Sequence, residues 1–517
     1  MSKRPVRPSN AHDADRLTPA PPPGRFLDSP TFPKQSKVEL GNAVQRRNLY
    51  DAMRTIRTKR VGVTSEADDW EDLRLAGEAI KNRTLRHLDR YLLQLEESLT
   101  AAGSTVHWAR DAEEANAIIV GLVNAALATP QGDQASAREV VKVKSMATQE
   151  IDMNEALEEA GIAAWETDLA ELIVQLGHDR PSHILVPAIH RNRSEVRQIF
   201  LDEMGRYGRP APDDLDSEPV NLAAAARLHL REKFLRAKVA ISGANFAVAE
   251  TGTLVVVESE GNGRMCLTLA DTLISVVGIE KVIPSVADLE VFLQLLPRSS
   301  TAERMNPYTS FWTGPTDGDG PQATHVVLID NGRTKVLADP VGRDALRCIR
   351  CSACINICPV YEKVGGHAYG SVYPGPIGAV LTPQLRGVAS AVDASVPYAS
   401  TLCGACVDVC PVRIPLPDLL VHMRHKVVEA KAHGRPHADD VAMRVTGKVL
   451  GSPGVWAATT KAISGTGAVL KKGRVDHFGP LPWPLSLWTN ARDVPAPPNE
   501  SFRAWYARTH HKDGSPR

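Results

Sequence analysis

The sequence lacks long apolar runs and lacks an excess of either charge. No stretch approaches the ~20 apolar residues of a membrane-spanning helix, and the best candidate, 455–470, is interrupted by Lys461 and by glycines. Lysine and arginine together number 60, as do aspartate and glutamate, so bulk charge gives no reason to expect binding to nucleic acid or to an anionic membrane. The basic N-terminus is followed by no apolar segment, which predicts no secretory signal. We therefore expect a cytoplasmic protein that meets membranes only through partners.

Cysteine is scarce, and its distribution excludes a disulfide framework. Of eight cysteines, seven fall in two short motifs and the eighth is Cys266. This pattern suits a reducing compartment, and we expect Cys266 to be a small buried apolar residue. A nucleotide-binding fingerprint is also missing, because the run 465–470 lacks a third glycine and follows no clear strand. We therefore expect any flavin or nicotinamide cofactor to be on another protein.

The two cysteine motifs are the strongest signal in the chain. The first has the spacing C-x2-C-x2-C-x3-C-P and the second C-x2-C-x3-C-P, which is typical of proteins with two cubane iron–sulfur clusters. A structural zinc site is the alternative, but zinc takes four ligands, and a pattern of four plus three thiolates fits it poorly. The motif cysteines are Cys348, Cys351, Cys354, Cys358, Cys403, Cys406 and Cys410.

Crossed ligation, in which the cysteine before the proline binds the other cluster, predicts unequal ligand sets. A fourth thiolate for the second cluster would stand three residues before Cys403, where the sequence has Ser400. That cluster is then either [4Fe–4S], with water, Ser400 Oγ or another ligand on its fourth iron, or [3Fe–4S]; the first is [4Fe–4S]. The predicted sets are Cys348, Cys351, Cys354 and Cys410 for cluster one, and Cys358, Cys403 and Cys406 for cluster two.

The rest of the chain, at 517 residues, has room for more than one domain. Strands and helices alternate after residue 103, which indicates an α/β fold with a mostly parallel sheet and helices on both faces. We predict strands at 105–109, 140–143, 163–166, 183–187, 239–249, 254–258, 272–277 and 324–330. We predict helices at 38–57, 68–102, 111–127, 153–160, 194–204, 221–237, 286–296 and 416–432. The predicted domains are a disordered arm (1–36), N-terminal helices (37–102), the α/β domain (103–336), a helical cluster domain (337–430) and a C-terminal region (431–517).

Three residues of the α/β half are candidates for ligand contact. Glu250 lies in a glycine-bounded turn between two apolar strands, where it is either a base or part of a structural turn whose hydroxyls bond locally. Asn262 and Arg264 follow in Gly-Asn-Gly-Arg. Arg264 pairs either with a ligand carboxylate or with a surface acid. Glu250 is the one candidate catalytic residue, and no other is predicted.

Two further pairs of residues each have a structural and a functional interpretation. Lys142 and Lys144 flank one strand residue and share a face, which favours a solvated edge. His367 and Tyr369 lie in the glycine- and proline-rich loop between the cysteine motifs. These two residues either line a route to a cluster or a docking partner, or pack around the clusters.

Several long and specific segments carry a family resemblance. They are SGANFAVAETGT (242–253), EGNGR (260–264), LPRS (296–299), YTSF (308–311), 346–359, 365–383 and 402–420. Together they resemble the lactate utilisation protein B family, closely over about residues 71–420. In that family a lactate-utilisation (LUD) domain, similar to the sugar-isomerase and CoA-transferase type of α/β fold, precedes a helical ferredoxin domain with two clusters and a family-specific C-terminal region. The form Ser-x-x-Cys-Gly-Ala-Cys at 400–406 agrees with the family's own pattern.

The resemblance implies an iron–sulfur electron-transfer subunit of a system that oxidises L-lactate to pyruvate. It also implies two companion subunits, one rich in paired cysteine motifs and one a bare LUD domain. Three alternatives stay open. In the first, the LUD domain is itself an enzyme for a small carboxylate or acyl group. In the second, the substrate is another 2-hydroxy acid such as glycolate. In the third, the chain is mainly a scaffold for its companions.

Overall fold

The computed structural model describes residues 29–128, 138–432, 438–471, 477–478, 486–489, 494–498 and 500–510. The chain forms two compact units, Met1–Ala430 and Lys431–Arg517. Most of the predicted arm, 1–36, lies outside the described residues. Its last five residues belong to a helix, Phe32–Glu39.

The first unit contains nineteen helices in its described part. They are α1 (Phe32–Glu39), α2 (Ala43–Ser65), α3 (Trp70–Arg86), α4 (Leu88–Ala101), α5 (Ala112–Ala128), α6 (Met146–Glu150), α7 (Met153–Glu159), α8 (Leu169–Leu176), α9 (Arg193–Glu203), α10 (Pro219–Arg236), α11 (Asn262–Leu269), α12 (Val286–Ser300), α13 (Arg333–Ala338), α14 (Ala353–Ile357), α15 (Pro359–Val364), α16 (Gly375–Arg386), α17 (Ala391–Ser395), α18 (Ala405–Asp408) and α19 (Leu416–Ala432).

Ten strands accompany them within the described residues. They are β1 (Thr105–Ala109), β2 (Glu139–Lys142), β3 (Ala163–Glu166), β4 (Val239–Gly243), β5 (Phe246–Val248), β6 (Thr253–Glu258), β7 (Thr272–Gly278), β8 (Val282–Ile283), β9 (Tyr308–Trp312) and β10 (Ala323–Ile329). Six of them form an entirely parallel sheet in the order β1-β10-β7-β4-β2-β3. A second sheet has the order β8-β5-β6-β9.

Helices cover both faces of the parallel sheet, as the strand–helix alternation predicts. On one face Ile119 and Val123 of α5 pack on Ile241, Ile274 and Val327 of the strands. On the other face α8–α11 form one cluster with β2, β3 and β4, and α4 forms a second with β7 and β10. Because both faces are buried, the central strands are almost continuously apolar.

Two predicted strands differ from the structure. The segment 239–249 is divided between β4 and β5, which belong to different sheets. The segment 183–187 forms no strand, because the His183 imidazole accepts hydrogen bonds from the N–H groups of Leu185 and Val186. These local bonds use donors that a strand would give to its neighbour.

The predicted helix 68–102 is two helices that serve different cores. The chain leaves the helical region at His87 (φ −124°, ψ 37°), between α3 and α4. Leu95 of α4 then packs against the parallel sheet. Ile80 of α3 instead joins a core that contains Leu49 of α2 and the motif cysteines. The N-terminal helices therefore cover the cysteine-rich segment.

The second unit is described in parts, and its elements are mainly helical. They are α20 (Ala438–Gly451), α21 (Pro453–Lys471), β11 (His477–Phe478), α22 (Ser486–Thr489), β12 (Val494–Pro495) and α23 (Phe502–Thr509). The two short strands pair antiparallel. Among all the residues described in either unit, none belongs to a helix that is both long and apolar enough to span a membrane.

We predict that Gly378→Ala unfolds the cysteine-rich segment. A Cβ at Gly378 in α16 would lie 1.6 Å from the Tyr373 carbonyl oxygen, so the backbone must move, at a cost of about 3 kcal/mol or more. Thermal unfolding should show a lower midpoint. Gly121→Ala in α5 is the matched control, because its Cβ would meet nothing within 4 Å and alanine favours a helix by roughly 0.5–1 kcal/mol. Equal midpoints for the two variants would contradict this packing.

Candidate metal centre and adjoining cavity

The two cysteine motifs fold into equivalent loops. In the first, Arg350 (φ 61°) and Ser352 (φ 62°) flank Cys351. In the second, Leu402 (φ 56°) and Gly404 (φ 85°) flank Cys403. Left-handed backbone is uncommon outside glycine, so its recurrence at the same positions makes Cys403 the counterpart of Cys351.

Ser400 holds the position that corresponds to Cys348. The Cys348 Sγ accepts a hydrogen bond from the Arg350 N–H at 3.4 Å, two residues on. The Ser400 Oγ accepts the same bond from the Leu402 N–H at 3.1 Å. The second loop therefore keeps the geometry of the first, with a hydroxyl in place of a thiol.

The cysteines before the prolines also receive backbone donors. The Cys410 Sγ accepts the Ile414 N–H at 3.3 Å, and the N–H groups of Val360 and Tyr361 bond to the Cys358 thiol. Such donors stabilise a thiolate more than a thiol. The backbone N–H groups at Cys358 and Cys410 therefore favour the thiolate form of these two cysteines.

Burial and mutual repulsion raise the pKa of several motif thiols. Burial raises the pKa of Cys354 well above its usual range, and the charges of Cys348, Cys351, Cys410 and Cys406 raise it further. Burial raises the pKa of Cys406 to about 12, and the charges of Cys358, Cys403 and Cys410 add to this effect. We call Cys348, Cys351, Cys354 and Cys410 the first thiol group, and Cys358, Cys403 and Cys406 the second; the two groups adjoin, because Cys406 acts on Cys354. Thiols this buried are thiolates only when a metal compensates their charge.

Unpaired donors surround the thiols, which tests whether an iron–sulfur cluster fits. Their atoms are buried and have no hydrogen-bond partner among the described residues. Cluster sulfides and thiolates are acceptors, so a bound cluster would satisfy such donors. The donor set therefore fits iron–sulfur clusters. The atoms are Arg57 Nη2, Arg60 Nε, Arg350 Nη1, Ser352 Oγ, Asn356 Nδ2 and Tyr369 Oη.

Three arginines of the N-terminal helices attach to the cysteine loops. Arg57 Nε donates to the Asn356 carbonyl at 2.5 Å, and Arg60 Nη2 donates to the Val409 carbonyl at 2.9 Å. Arg74 donates to the Cys410 carbonyl at 3.0 Å. No sequence motif marks these residues. The i, i+3 spacing of Arg57 and Arg60 places them on one face of α2, but it does not indicate what that face meets.

A cavity of about 330 Å³ lies where the parallel strands end. Residues that follow β2, β4 and β7 line it, including Lys144, Asn245 and Lys281. Arg350 and Tyr373 close it from the cysteine-rich side. The carboxyl ends of parallel strands are the usual ligand site of open α/β sheets. Here that site adjoins the first thiol group.

The cavity has a basic and an acidic part. Burial lowers the pKa of Lys281 to about 8. Asp168, Glu258 and Glu260 also line the cavity. Burial, with Asp168 close by, raises the pKa of Glu260 to about 7. Charges of both signs thus line one space.

A buried ion-pair network joins the strand ends to the first cysteine loop. Arg333 bonds to Glu150 at 2.9 Å and also to Glu280, which Arg350 contacts at 3.3 Å. Burial alone would raise the pKa of Glu280, but Arg333 and Arg350 outweigh it and lower the pKa to about 2. The Tyr373 hydroxyl donates to Glu150 at 2.6 Å. The network fixes the orientation of Arg350 at the cavity wall.

Comparison with protein families divides the chain in three. Residues 92–329 match the LUD domain, residues 344–414 the 4Fe-4S dicluster domain, and residues 421–511 the C-terminal domain of lactate utilisation protein B. The dicluster match and the grouped cysteines support iron–sulfur clusters in this chain.

Curated relatives match nearly the whole sequence. Lactate utilization protein B 1 of Bacillus mycoides strain KBAB4 is 40% identical over 486 residues, which is 94% of this chain and 97% of that protein. The chain belongs to the lactate utilisation protein B family. Lactate utilization protein B of Oceanobacillus iheyensis is 42% identical over 472 residues, 90% of this chain and 94% of that protein.

One solved structure is similar to part of this family member. It is the crystal structure of a DUF162 family protein from Deinococcus radiodurans, with 15% sequence identity and a TM-score of 0.26. The likeness covers 47% of this chain and 98% of that one.

The structure separates the candidates of the LUD half. Glu250 is not among the residues that line the described cavity, and its carboxylate accepts the Val286 N–H at 3.1 Å, at the start of α12. Asn262 lines the cavity. The backbone N–H of Arg264 bonds to Glu258 at 2.6 Å. A structural turn is therefore the interpretation that the contacts of Glu250 favour.

The remaining residues have clear positions. Lys142 was predicted at a solvated edge, and this was wrong, because it is fully buried and paired with Glu166 across β2 and β3. Cys266 is buried as predicted. The Tyr369 hydroxyl lies beside Cys358. His367 Nε2 lies 2.7 Å from the Arg180 carbonyl, away from the thiols.

We predict that Arg74→Ala weakens the cysteine loops of this family member. It removes hydrogen bonds to the carbonyls of Val407 and Cys410, and leaving such acceptors unpaired costs about 1–3 kcal/mol. Thermal unfolding and the rate of iron loss to a chelator would measure this. Arg83→Ala on the same helix is the control, because its ion pair with Asp288 is half exposed and contributes at most about 1 kcal/mol. Similar losses in both variants would refute the assigned role of Arg74.

Proposed function

We propose that this chain is the iron–sulfur electron-transfer subunit of a system that oxidises L-lactate to pyruvate. The observation that carries the proposal is the grouping of the motif thiols, five of which (Cys351, Cys354, Cys358, Cys406 and Cys410) are buried in one core. The names of the relatives, lactate utilization protein B, supply the metabolic context. When bound, the clusters would supply reversible one-electron storage between a two-electron donor and its acceptor.

We propose the ligand sets that the motif spacing predicts. Cys348, Cys351, Cys354 and Cys410 hold a [4Fe–4S] cluster. Cys358, Cys403 and Cys406 hold the second, which is [4Fe–4S] with an open ligand position or [3Fe–4S]. Ser400 and Cys348 each accept a hydrogen bond from the N–H two residues on. This common geometry supports the assignment, because the Ser400 hydroxyl lies where a fourth thiolate would stand.

The protein prepares these sites for added negative charge. Burial excludes water from most of the thiols. Arg60 acts on Cys351 and Cys410, and Arg57 acts on Cys358, through their charges. Nearby cations and N–H donors favour the reduced state of a cluster. Arg350 connects the first group to the cavity, whereas the second contains the exposed Cys403. The arrangement therefore orders the two groups from the cavity to the surface.

We propose the partners and the location that membership of this family suggests. We propose two companion subunits, one rich in cysteine motifs and one a bare LUD domain, a cytoplasmic setting, and membrane contact only through partners. We also propose the domain limits 37–102, 103–336, 337–430 and 431–517. Glycolate or another 2-hydroxy acid is the alternative substrate.

The cavity favours a second candidate function. It lies at the carboxyl ends of the parallel strands and carries both basic and acidic side chains. The LUD domain would then be the enzyme for a small carboxylate or acyl group, served by the clusters. Glu250, with its contact at α12, is a weak candidate for the chemistry.

We predict that the anaerobically purified chain is coloured and that its colour depends on the motif cysteines. It should contain several irons and absorb broadly near ~400 nm. With the companion subunits, L-lactate should bleach this absorption. Cys351→Ala breaks the first ligand set. The variant should therefore lose about half of the iron, and L-lactate should no longer bleach its absorption. Iron analysis and visible spectroscopy measure both effects.

Cys266→Ala is the matched control, since it removes a buried cysteine outside the motifs. It should keep the iron and the bleaching. A colourless protein with stoichiometric zinc would refute the proposal. Bleaching by the isolated chain would favour the LUD domain as the enzyme, and unchanged lactate oxidation in Cys351→Ala would favour a scaffolding role.

We predict that Ser400→Cys completes the second ligand set. On exposure to air the wild-type protein should lose the iron without a thiolate and give the electron paramagnetic resonance (EPR) signal of an oxidised three-iron cluster. The variant should retain that iron because a fourth thiolate binds it. Thr401→Cys places a thiol one residue away, on an exposed side chain, and should behave as wild type. The same signal in Ser400→Cys as in wild type would argue against the ligand position.

A further inference from the structure

Two cations, Lys281 and Arg350, act on the Cys348 thiol through their charges and also line the cavity. Among the described residues, none forms a hydrogen bond or a close ion pair with the Lys281 ammonium. Arg350 is only 8% exposed, yet its Nη1 has no hydrogen-bond partner in the described part of the chain. Both side chains line the cavity. A buried donor without a partner, such as Arg350 Nη1, is costly unless a ligand or water satisfies it.

We propose that this cavity binds a small monocarboxylate anion, with its carboxylate against Lys281 and Arg350. The geometry of the cavity supports an anion of this class, whereas the choice of L-lactate as the first probe rests on the proposed function.

The charge balance supports an anion. The Glu280 carboxylate contacts Arg333 and Arg350, and the Glu150 carboxylate contacts Arg333. Counting Lys281 and also Lys81, whose ammonium donates to the Glu280 backbone carbonyl, four cations stand against these two carboxylates, which leaves an excess of positive charge. A ligand carboxylate would balance it, and a guanidinium and an ammonium are its usual partners.

The acidic side chains of the cavity limit the ligand to a single negative charge. Asp168 accepts the N–H groups of Ala170 and Glu171 at the start of α8, and Glu260 accepts the Leu169 N–H at 3.1 Å. These carboxylates, with Glu258, would repel a second anionic group. The volume of about 330 Å³ is near the lower end of small-molecule sites, which span roughly 300–1,000 Å³.

Arg350 links this site to the first thiol group. Its backbone N–H bonds to the Cys348 Sγ at 3.4 Å, while its side chain lines the cavity. A bound carboxylate would therefore change the electrostatic surroundings of that group. Binding should be visible in the EPR spectrum of the reduced first cluster as well as by calorimetry.

The test is titration calorimetry of the full, cluster-containing chain with L-lactate. The wild-type protein should bind it saturably. Lys281→Met should bind at least about tenfold more weakly, the usual result of removing a charged hydrogen-bond donor. Lys281→Arg keeps the charge and should bind within about tenfold of wild type. Iron content and thermal unfolding confirm that each variant is folded.

Two controls define the ligand class. Lys238→Met removes a half-exposed lysine before β4, paired with Asp271 at 3.1 Å, and should bind L-lactate as wild type does. L-Malate carries a second carboxylate and should bind more weakly than L-lactate. Equal or tighter binding of malate would overturn the monocarboxylate assignment.

Other results would overturn the site itself. One is no saturable binding by wild type up to about 10 mM, tenfold above the common upper range of substrate affinities. Another is an altered reduction potential of the first cluster together with an unchanged lactate affinity in Lys281→Met. That result would mean that Lys281 only offsets the charge at Cys348. Chemical reduction followed by EPR tests electron carriage without lactate, so this proposal and the proposed function fail separately.

Discussion

Burial of the motif thiols is the constraint on which the rest of the first unit depends. A buried thiolate is unfavourable unless a metal, cations or hydrogen-bond donors compensate it. The loops contribute backbone N–H groups to Cys348, Cys358 and Cys410. Helices α2 and α3 contribute arginines, so these helices belong to the site although no motif marks them.

The same core joins the two halves of the unit. Leu295 and Leu296 of α12 lie in one apolar cluster with Cys351, Cys354 and neighbouring residues of the dicluster segment. This packing closes the carboxyl edge of the parallel sheet with Arg350 and Tyr373. The cavity and the cysteine loops are thereby brought together without a linker between them.

The ion pairs at this junction determine orientation more than stability. Burying charges costs desolvation that their attraction only partly repays. Glu150, Arg333 and Glu280 nevertheless hold Arg350 at the cavity wall and leave Lys281 unpaired by any described residue. Because Arg350 is also part of the first cysteine loop, the network couples the cavity to the thiols.

The sequence by itself determined what depends on neighbours in the chain. The spacing of the cysteines predicts their grouping, and apolar periodicity predicts the parallel sheet, because ligand reach and strand pleat are local properties. It did not predict the division of 239–249 between two sheets or the break at His87, which depend on the partners of each half. Only the tertiary structure decided which cations meet the thiols: Arg57 contacts Asn356 across 299 positions of sequence. It also decided that Lys142 is buried and that the cavity adjoins the thiols, because contacts at such separations leave no local pattern.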